Sequence, residues 1–120
     1  MQVDGYFNVL DEPVIRLDVG SSQIEFLVDT GFNGGLMISE QLAEGLDINY
    51  DRGLEEFYSV TGEVFLASGC SMKISWLGQE IRVPVATCAQ VNEAILGGQM
   101  LKNCRLTIDY TNRTVTIVGR

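Results

Sequence analysis

Short apolar or alternating runs, each cut off by glycine, proline or small polar residues, recur along the whole chain. Runs of that length build strands, and the 13 glycines supply tight corners between them. Val14-Ile15-Arg16-Leu17-Asp18-Val19 and Gln23-Ile24-Glu25-Phe26-Leu27-Val28 flank Gly20-Ser21-Ser22, which predicts a hairpin. Residues 1–10 are mixed and predict a short edge strand. Leu36-Met37-Ile38 predicts a short buried strand. Ser39 is then placed to cap a helix through Leu46, with Glu40 in its first turn, Gly45 near its end and Leu42, Ala43 and Leu46 facing inward. Phe57, Tyr58 and Val60 lead to Thr61-Gly62, and Val64-Phe65-Leu66 leads away, a second hairpin with glycine at its tip. Its return strand is expected to run on through Met72-Lys73-Ile74-Ser75-Trp76, with Trp76 in the core. Leu77-Gly78-Gln79 turns the chain into Ile81-Arg82-Val83-Pro84-Val85-Ala86, where Pro84 marks an edge or a bulge. Ala94-Ile95-Leu96 reads as another buried strand, Gln99 to Asn103 as one or two helical turns, and 105–110 and 114–118 as a pair of alternating strands. The expected fold class is mostly β, a closed or partly closed barrel of short strands with one or two short helices. It is expected as a single domain over 1–120.

Composition narrows the function. The formal charge is −8 and the eight basic residues are scattered, so no nucleic-acid surface is expected. Histidine is absent, which removes nucleophile–histidine triads and the commonest metal ligand. Cys70, Cys88 and Cys104 have neither the count of a disulfide framework nor the spacing of a zinc site, and are expected as reduced thiols packed as small apolar groups. No apolar run approaches the roughly 20 residues that cross a membrane, and Met1-Gln2-Val3-Asp4 lacks the pattern of a signal peptide. A cytoplasmic protein with no membrane, metal or cofactor partner is the expectation.

The chemistry concentrates at Phe26-Leu27-Val28-Asp29-Thr30-Gly31. An apolar strand that runs straight into a carboxylate holds that carboxylate at the edge of the core. Thr30 can hydrogen-bond locally, and Gly31 allows backbone to approach the acid. The same triplet also suits an ordinary turn. As a metal ligand Asp29 lacks neighbouring ligands, and as a phosphate acceptor it lacks a matched acid and lysine. As half of an acid–base pair it needs a second aspartate in the same setting. The chain has one Asp-Thr-Gly, so that partner must come from a second copy.

With those parts in that order, the chain resembles the retropepsin-like aspartic proteases, roughly from Val14 to Val118. The matching parts are the hairpin ending in Asp29-Thr30-Gly31, the strand Leu36-Met37-Ile38, the Thr61-Gly62 hairpin, Ile95-Leu96-Gly97, a short helix and a closing strand pair containing Ile108-Asp109-Tyr110. Phe32 after the triplet is like small bacterial members of the family, where retroviral and pepsin-type enzymes usually carry Ala or Ser. The resemblance implies a homodimeric endopeptidase acting on a peptide or protein. Two copies of Asp29 would share one proton, and Thr30 would cross-link the two active-site loops. Gly31 and Phe32 would line the cleft, Thr61 and Gly62 would form a flap, and Ile95, Leu96 and Gly97 would form an apolar bed beneath the aspartate. Val115 to Val118, with the N-terminal strand, would build a dimer sheet. A non-catalytic dimeric peptide-binding module on the same barrel is the alternative. Asp109 is expected as a satisfied structural acid, and Asp47, Asp51, Glu55 and Glu56 as a solvated face.

Overall fold

Ile15, Leu17 and Val19 point inward while Arg16 and Asp18 point to solvent, and Ile24, Phe26 and Val28 do the same against Gln23 and Glu25. Period-two alternation therefore selects the buried face of strands β2 (Pro13–Val19) and β3 (Ser22–Val28). Their register pairs Leu17 with Ile24 and Val14 with Leu27. The protein is seen here as a computed structural model that describes residues 1–46, 48–58 and 61–119. Before this hairpin lies β1 (Gln2–Phe7). After it come β4 (Leu36–Ser39) and α1 (Glu40–Glu44), then β5 (Gly53–Tyr58), β6 (Val64–Trp76) and β7 (Gln79–Cys88). The chain finishes with β8 (Ala94–Leu96), a 3-10 turn over Gly98–Leu101, β9 (Cys104–Asp109) and β10 (Thr114–Gly119).

Six strands close into a mixed barrel in the order β6-β7-β4-β8-β3-β2, sealed by a β2–β6 bridge at Val19 and Ile74. β8 runs parallel to β3 and antiparallel to β4, and β4 runs parallel to β7. β5 extends the sheet beyond β6, and β1, β10 and β9 extend it beyond β2. Phe26, Ile15, Leu36, Ile38, Leu96 and Ile117 are fully buried at the centre, each burial contributing about 1.5–3 kcal/mol. Trp76 joins them. On the outer face, Arg16 Nε donates to the Tyr6 hydroxyl at 2.8 Å and that hydroxyl donates to Glu25, tying β1 across β2 to β3.

Several expectations change. The N-terminal strand is not an edge: β1 lies between β2 and β10, paired along β10 from Gln2–Val118 to Tyr6–Thr114. β10 in turn carries β9 on its other side. With both edges hydrogen-bonded inside one chain, β10 has no edge to give to a dimer sheet. Helix α1 ends at Glu44, and Leu42 faces outward at 38% exposure while Ala43 is buried and Leu46 packs on the core. Ser39 Oγ accepts from the Leu42 N–H at 3.1 Å and sets the phase of this short helix, in which neighbouring side chains diverge by about 100°. Of the two readings of Pro84, the edge holds and the bulge does not: its register with Ser71 is unbroken, and β4 joins β7 on the other side only from Val85 onward. Cys70 and Cys88 are buried and Cys104 is half-buried; all three are free thiols. Asp51 and Glu56 are exposed, Glu55 is half-buried beside Arg52, and Asp47 lies outside the described residues. No helix among the described residues is long and apolar enough to cross a membrane.

Candidate active site

β3 carries Asp29 to the end of the barrel and stops there. The Asp29 N–H donates to the Leu96 carbonyl at 2.9 Å, so the backbone of the acid is fastened to β8. The Gly31 N–H donates to Asp29 Oδ1 at 3.0 Å, and the Phe32 N–H to the Asp29 carbonyl at 3.2 Å. A Cβ on Gly31 would lie 3.3 Å from Asp29 Oδ1, closer than side chains normally pack, so glycine keeps that bond open. The result is a half-buried carboxylate oriented by a charge-assisted bond and still facing the cleft.

Glycines also shape the floor. The Phe32 ring lies against Gly34 and Gly97, where a Cβ would come within 2.4 and 2.5 Å of ring carbons. The loop 97–99 is stitched to the aspartate loop by Gly97 N–H to Gly35 O at 2.7 Å, Gly98 N–H to Phe32 O at 2.7 Å and Gln99 N–H to Gly34 O at 3.1 Å. Above the floor, the hairpin of β5 and β6 leans over the barrel end. Phe57 and Phe65 are cross-strand partners on its inner side, and Phe57 meets Phe32 edge-to-face at 5.2 Å. A cleft of about 290 Å³ lies between, lined by Asp29, Gly31 and Phe32 together with Met37, Phe57, Tyr58, Phe65, Val91 and Ile95.

Of the residues expected at a site, Asp29, Gly31, Phe32 and Ile95 meet in this cleft. Thr30 is exposed beside the acid. Leu96 is fully buried between Val28 and Leu36, and Gly97 is buried against Phe32, so both hold the aspartate loop from beneath rather than touching the cleft. Thr61 and Gly62 sit at the exposed tip of the hairpin, outside the cleft lining, with Gly62 at φ 87°, a left-handed conformation suited to glycine. Val60 lies outside the described residues. Met37, Phe57, Tyr58, Phe65 and Val91 are cleft residues that were not expected. The β5–β6 register was the available signal for the Phe57–Phe65 pair. Asp109 lies outside the cleft lining. Its carboxylate accepts from the Asn112 N–H at 3.0 Å, from Asn112 Nδ2 at 3.0 Å and from the Thr111 N–H at 2.9 Å. Those bonds, the Asn112 N–H foremost, hold it below the usual carboxylate range. Among the described residues, no group of three or more His, Cys, Asp or Glu is placed to hold a metal ion.

No protein-family model and no curated protein matches the chain, but solved structures do. The chain is similar to a retropepsin-like aspartic protease from Rickettsia conorii, with a TM-score of 0.68 and 18% identity over 99% of this chain and 91% of that one. It is also similar to EIAV protease, solved with the inhibitor HBY-793, with a TM-score of 0.67 and 16% identity over 80% of this chain and 90% of that one. The fold is therefore the retropepsin-like barrel that the sequence resembled. At these identities the likeness carries the fold alone.

Proposed function

We propose that this chain is a single retropepsin-like domain over 1–120 that works as a homodimeric aspartic endopeptidase. The observation that carries the reading is the Asp29 carboxylate, oriented by the Gly31 N–H at 3.0 Å, at the mouth of an apolar cleft roofed by a hairpin. Two such half-sites brought face to face give a dyad. Like charges about 3 Å apart do not both ionise readily, so the pair holds one proton between them. The ionised aspartate takes a proton from a water held between the two acids, and the water oxygen attacks the scissile carbonyl carbon. The protonated aspartate hydrogen-bonds the carbonyl oxygen and neutralises the charge growing there. Collapse of the tetrahedral species breaks the C–N bond, and the nitrogen leaves with a proton from the dyad.

In this reading Gly31 leaves room for substrate backbone, and Phe32 and Ile95 contact an apolar substrate side chain. Thr61 and Gly62 belong to a flap that closes over the peptide and excludes water. Thr30 links the two active-site loops, while Leu96 and Gly97 hold Asp29 at its height. Substitution Asp29→Asn tests the proposal. The wild-type chain is expected to cleave an unfolded protein such as casein, and the variant to fold identically by circular dichroism and cleave nothing. Equal cleavage by the variant would remove Asp29 from the mechanism. Binding of peptides without cleavage by the wild type would favour the peptide-binding module.

A further inference from the structure

Strands β6, β7 and β4 present two faces, and the cleft uses one of them. Met37, Ala67, Ala86 and Cys88 pack with Phe57, Phe65 and Ile95 on the cleft side. Thr87 stands between Ala86 and Cys88 on β7, so alternation turns its side chain to the reverse face. There it lies in register with Ile38 on β4 and Ser68 on β6. Helix α1 and the residues that follow it cover this face incompletely, because Ala43, Ser68 and Thr87 are small. A hollow of about 450 Å³ remains, and it shares no lining residue with the cleft around Asp29. Small-molecule sites commonly fall between about 300 and 1,000 Å³.

Two features of the lining point to a ligand. Thr87 is 4% exposed, and its Oγ1 has no hydrogen-bond partner among the described residues. A buried hydroxyl left unpaired is costly, and valine would fill the same space without one. On the helix side stand Glu40 and Glu44, four residues apart and so neighbours on α1. Neither meets a cation among the described residues: Arg52 is taken by Glu55, Lys73 by Glu80 and Arg113 by Asp11. No basic residue among those described lines the hollow. Leu46 and Ile48 add apolar wall, and Tyr50, 50% exposed, adds an aromatic ring.

We propose that this hollow binds a guanidinium group carried on an apolar stem. The guanidinium is a donor only, and it supplies the Thr87 oxygen with the hydrogen bond that the fold leaves unmade. Its remaining N–H groups are met by Glu40 and Glu44, and charge-assisted bonds of that kind are the strong ones. A guanidinium is less tightly hydrated than an ammonium, so it enters beside a buried hydroxyl more readily, and its plane stacks on an aromatic ring such as that of Tyr50. The methylene stem packs on Leu46 and Ile48. The net charge of −8 draws cations to the surface and raises their local concentration. An arginine side chain of a polypeptide and a free alkylguanidine share this head and stem. The site stands apart from Asp29 and does not depend on the peptidase reading.

The test is calorimetric titration of the full chain with N-acetylarginine amide, with butylguanidinium and with N-acetylcitrulline amide, the last a neutral copy of the first. The arginine amide is expected to bind with a Kd of about 1 mM or below, and the citrulline amide about 10-fold more weakly or not at all. Thr87→Val should weaken the arginine amide about 5-fold while its Tm equals or exceeds that of the wild type. The double variant Glu40→Gln, Glu44→Gln should weaken it about 10-fold or more, and Asp29→Asn should bind it like the wild type. Tighter binding of the arginine amide than of butylguanidinium upholds the site and assigns it to a polypeptide, whereas equal binding upholds it and assigns it to a free guanidine. No heat up to about 10 mM, equal binding of the citrulline amide, or a folded Thr87→Val that binds like the wild type overturns the proposal. Should Thr87→Val not fold, the exposed glutamate pair carries the same test, and unchanged binding by that variant overturns the site.

Discussion

Replacing Gly97 by alanine should damage the site, while replacing its neighbour Gly98 should not. A Cβ on Gly97 would stand 2.3 Å from the Gly34 carbonyl oxygen, 2.6 Å from the Phe32 carbonyl oxygen and 2.5 Å from Phe32 Cδ2. That is about an ångström short of ordinary contact, and two of the three atoms are backbone, which cannot rotate aside. Relief requires the aspartate loop to move, which strains the bonds from Gly98 to Phe32 and from Gln99 to Gly34. Overpacking of this kind costs about 1–3 kcal/mol, and weakening a hydrogen bond adds about 0.5–1.5, so Gly97→Ala should lose about 2–4 kcal/mol. At roughly 4 °C per kcal/mol that is a fall in Tm of about 8–16 °C. On Gly98 the nearest atoms are 3.6 and 4.0 Å away. Its backbone also avoids the left-handed region, so Gly98→Ala should remain within about 1 kcal/mol of wild type and can gain from a stiffer unfolded chain. Thermal melts followed by circular dichroism read both. Equal Tm values for the two variants would refute the claim that Gly97 lets the two loops interlock.

Phe32→Ala removes the edge-to-face contact with Phe57 and the ring that fills the Gly34–Gly97 slot. It should cost about 2–3 kcal/mol and shift kcat/KM toward peptides with larger side chains at the cleaved bond. An unchanged preference across a peptide series would show that Phe32 does not shape the cleft. Asp109 has a folded pKa held below its ordinary value, chiefly by the Asn112 N–H. Its contribution is therefore present above the unfolded carboxylate value and lost as pH falls through the folded one, the unfolded chain binding the extra proton in between. Asp109→Asn should lower Tm at neutral pH and flatten its decline between about pH 5 and pH 3. A parallel pH profile for variant and wild type would contradict that role.

Strands with local patterning were legible from sequence: β2 and β3 declare their buried face by alternation, and the apolar run of β4 declares a strand buried on both faces. The closing turn was legible too, because Asp109 sits where its carboxylate reaches the next backbone N–H groups. Partner choice was not. Whether β1 is an edge depends on β10, more than a hundred residues away, and nothing in Gln2–Phe7 encodes that pairing. The orientation of Leu42 was hidden because a five-residue helix is too short for a stripe to define its phase. That Asp29 ends a strand beside a cleft was readable from the apolar run that leads into it. Most of the cleft around it was not, since Met37, Phe57, Tyr58, Phe65 and Val91 come from separate parts of the chain and each has an ordinary packing pattern on its own.

The central claim is that the reaction centre is split between two chains, and subunit mixing tests it most directly. Equal amounts of wild-type and Asp29→Asn chain are allowed to exchange, and cleavage is compared with the same total of wild-type protein. If both copies of Asp29 are needed, only dimers with two intact chains work, and activity falls to about one quarter. Activity of about one half would mean that each chain cleaves alone, and the account of a shared dyad would be wrong.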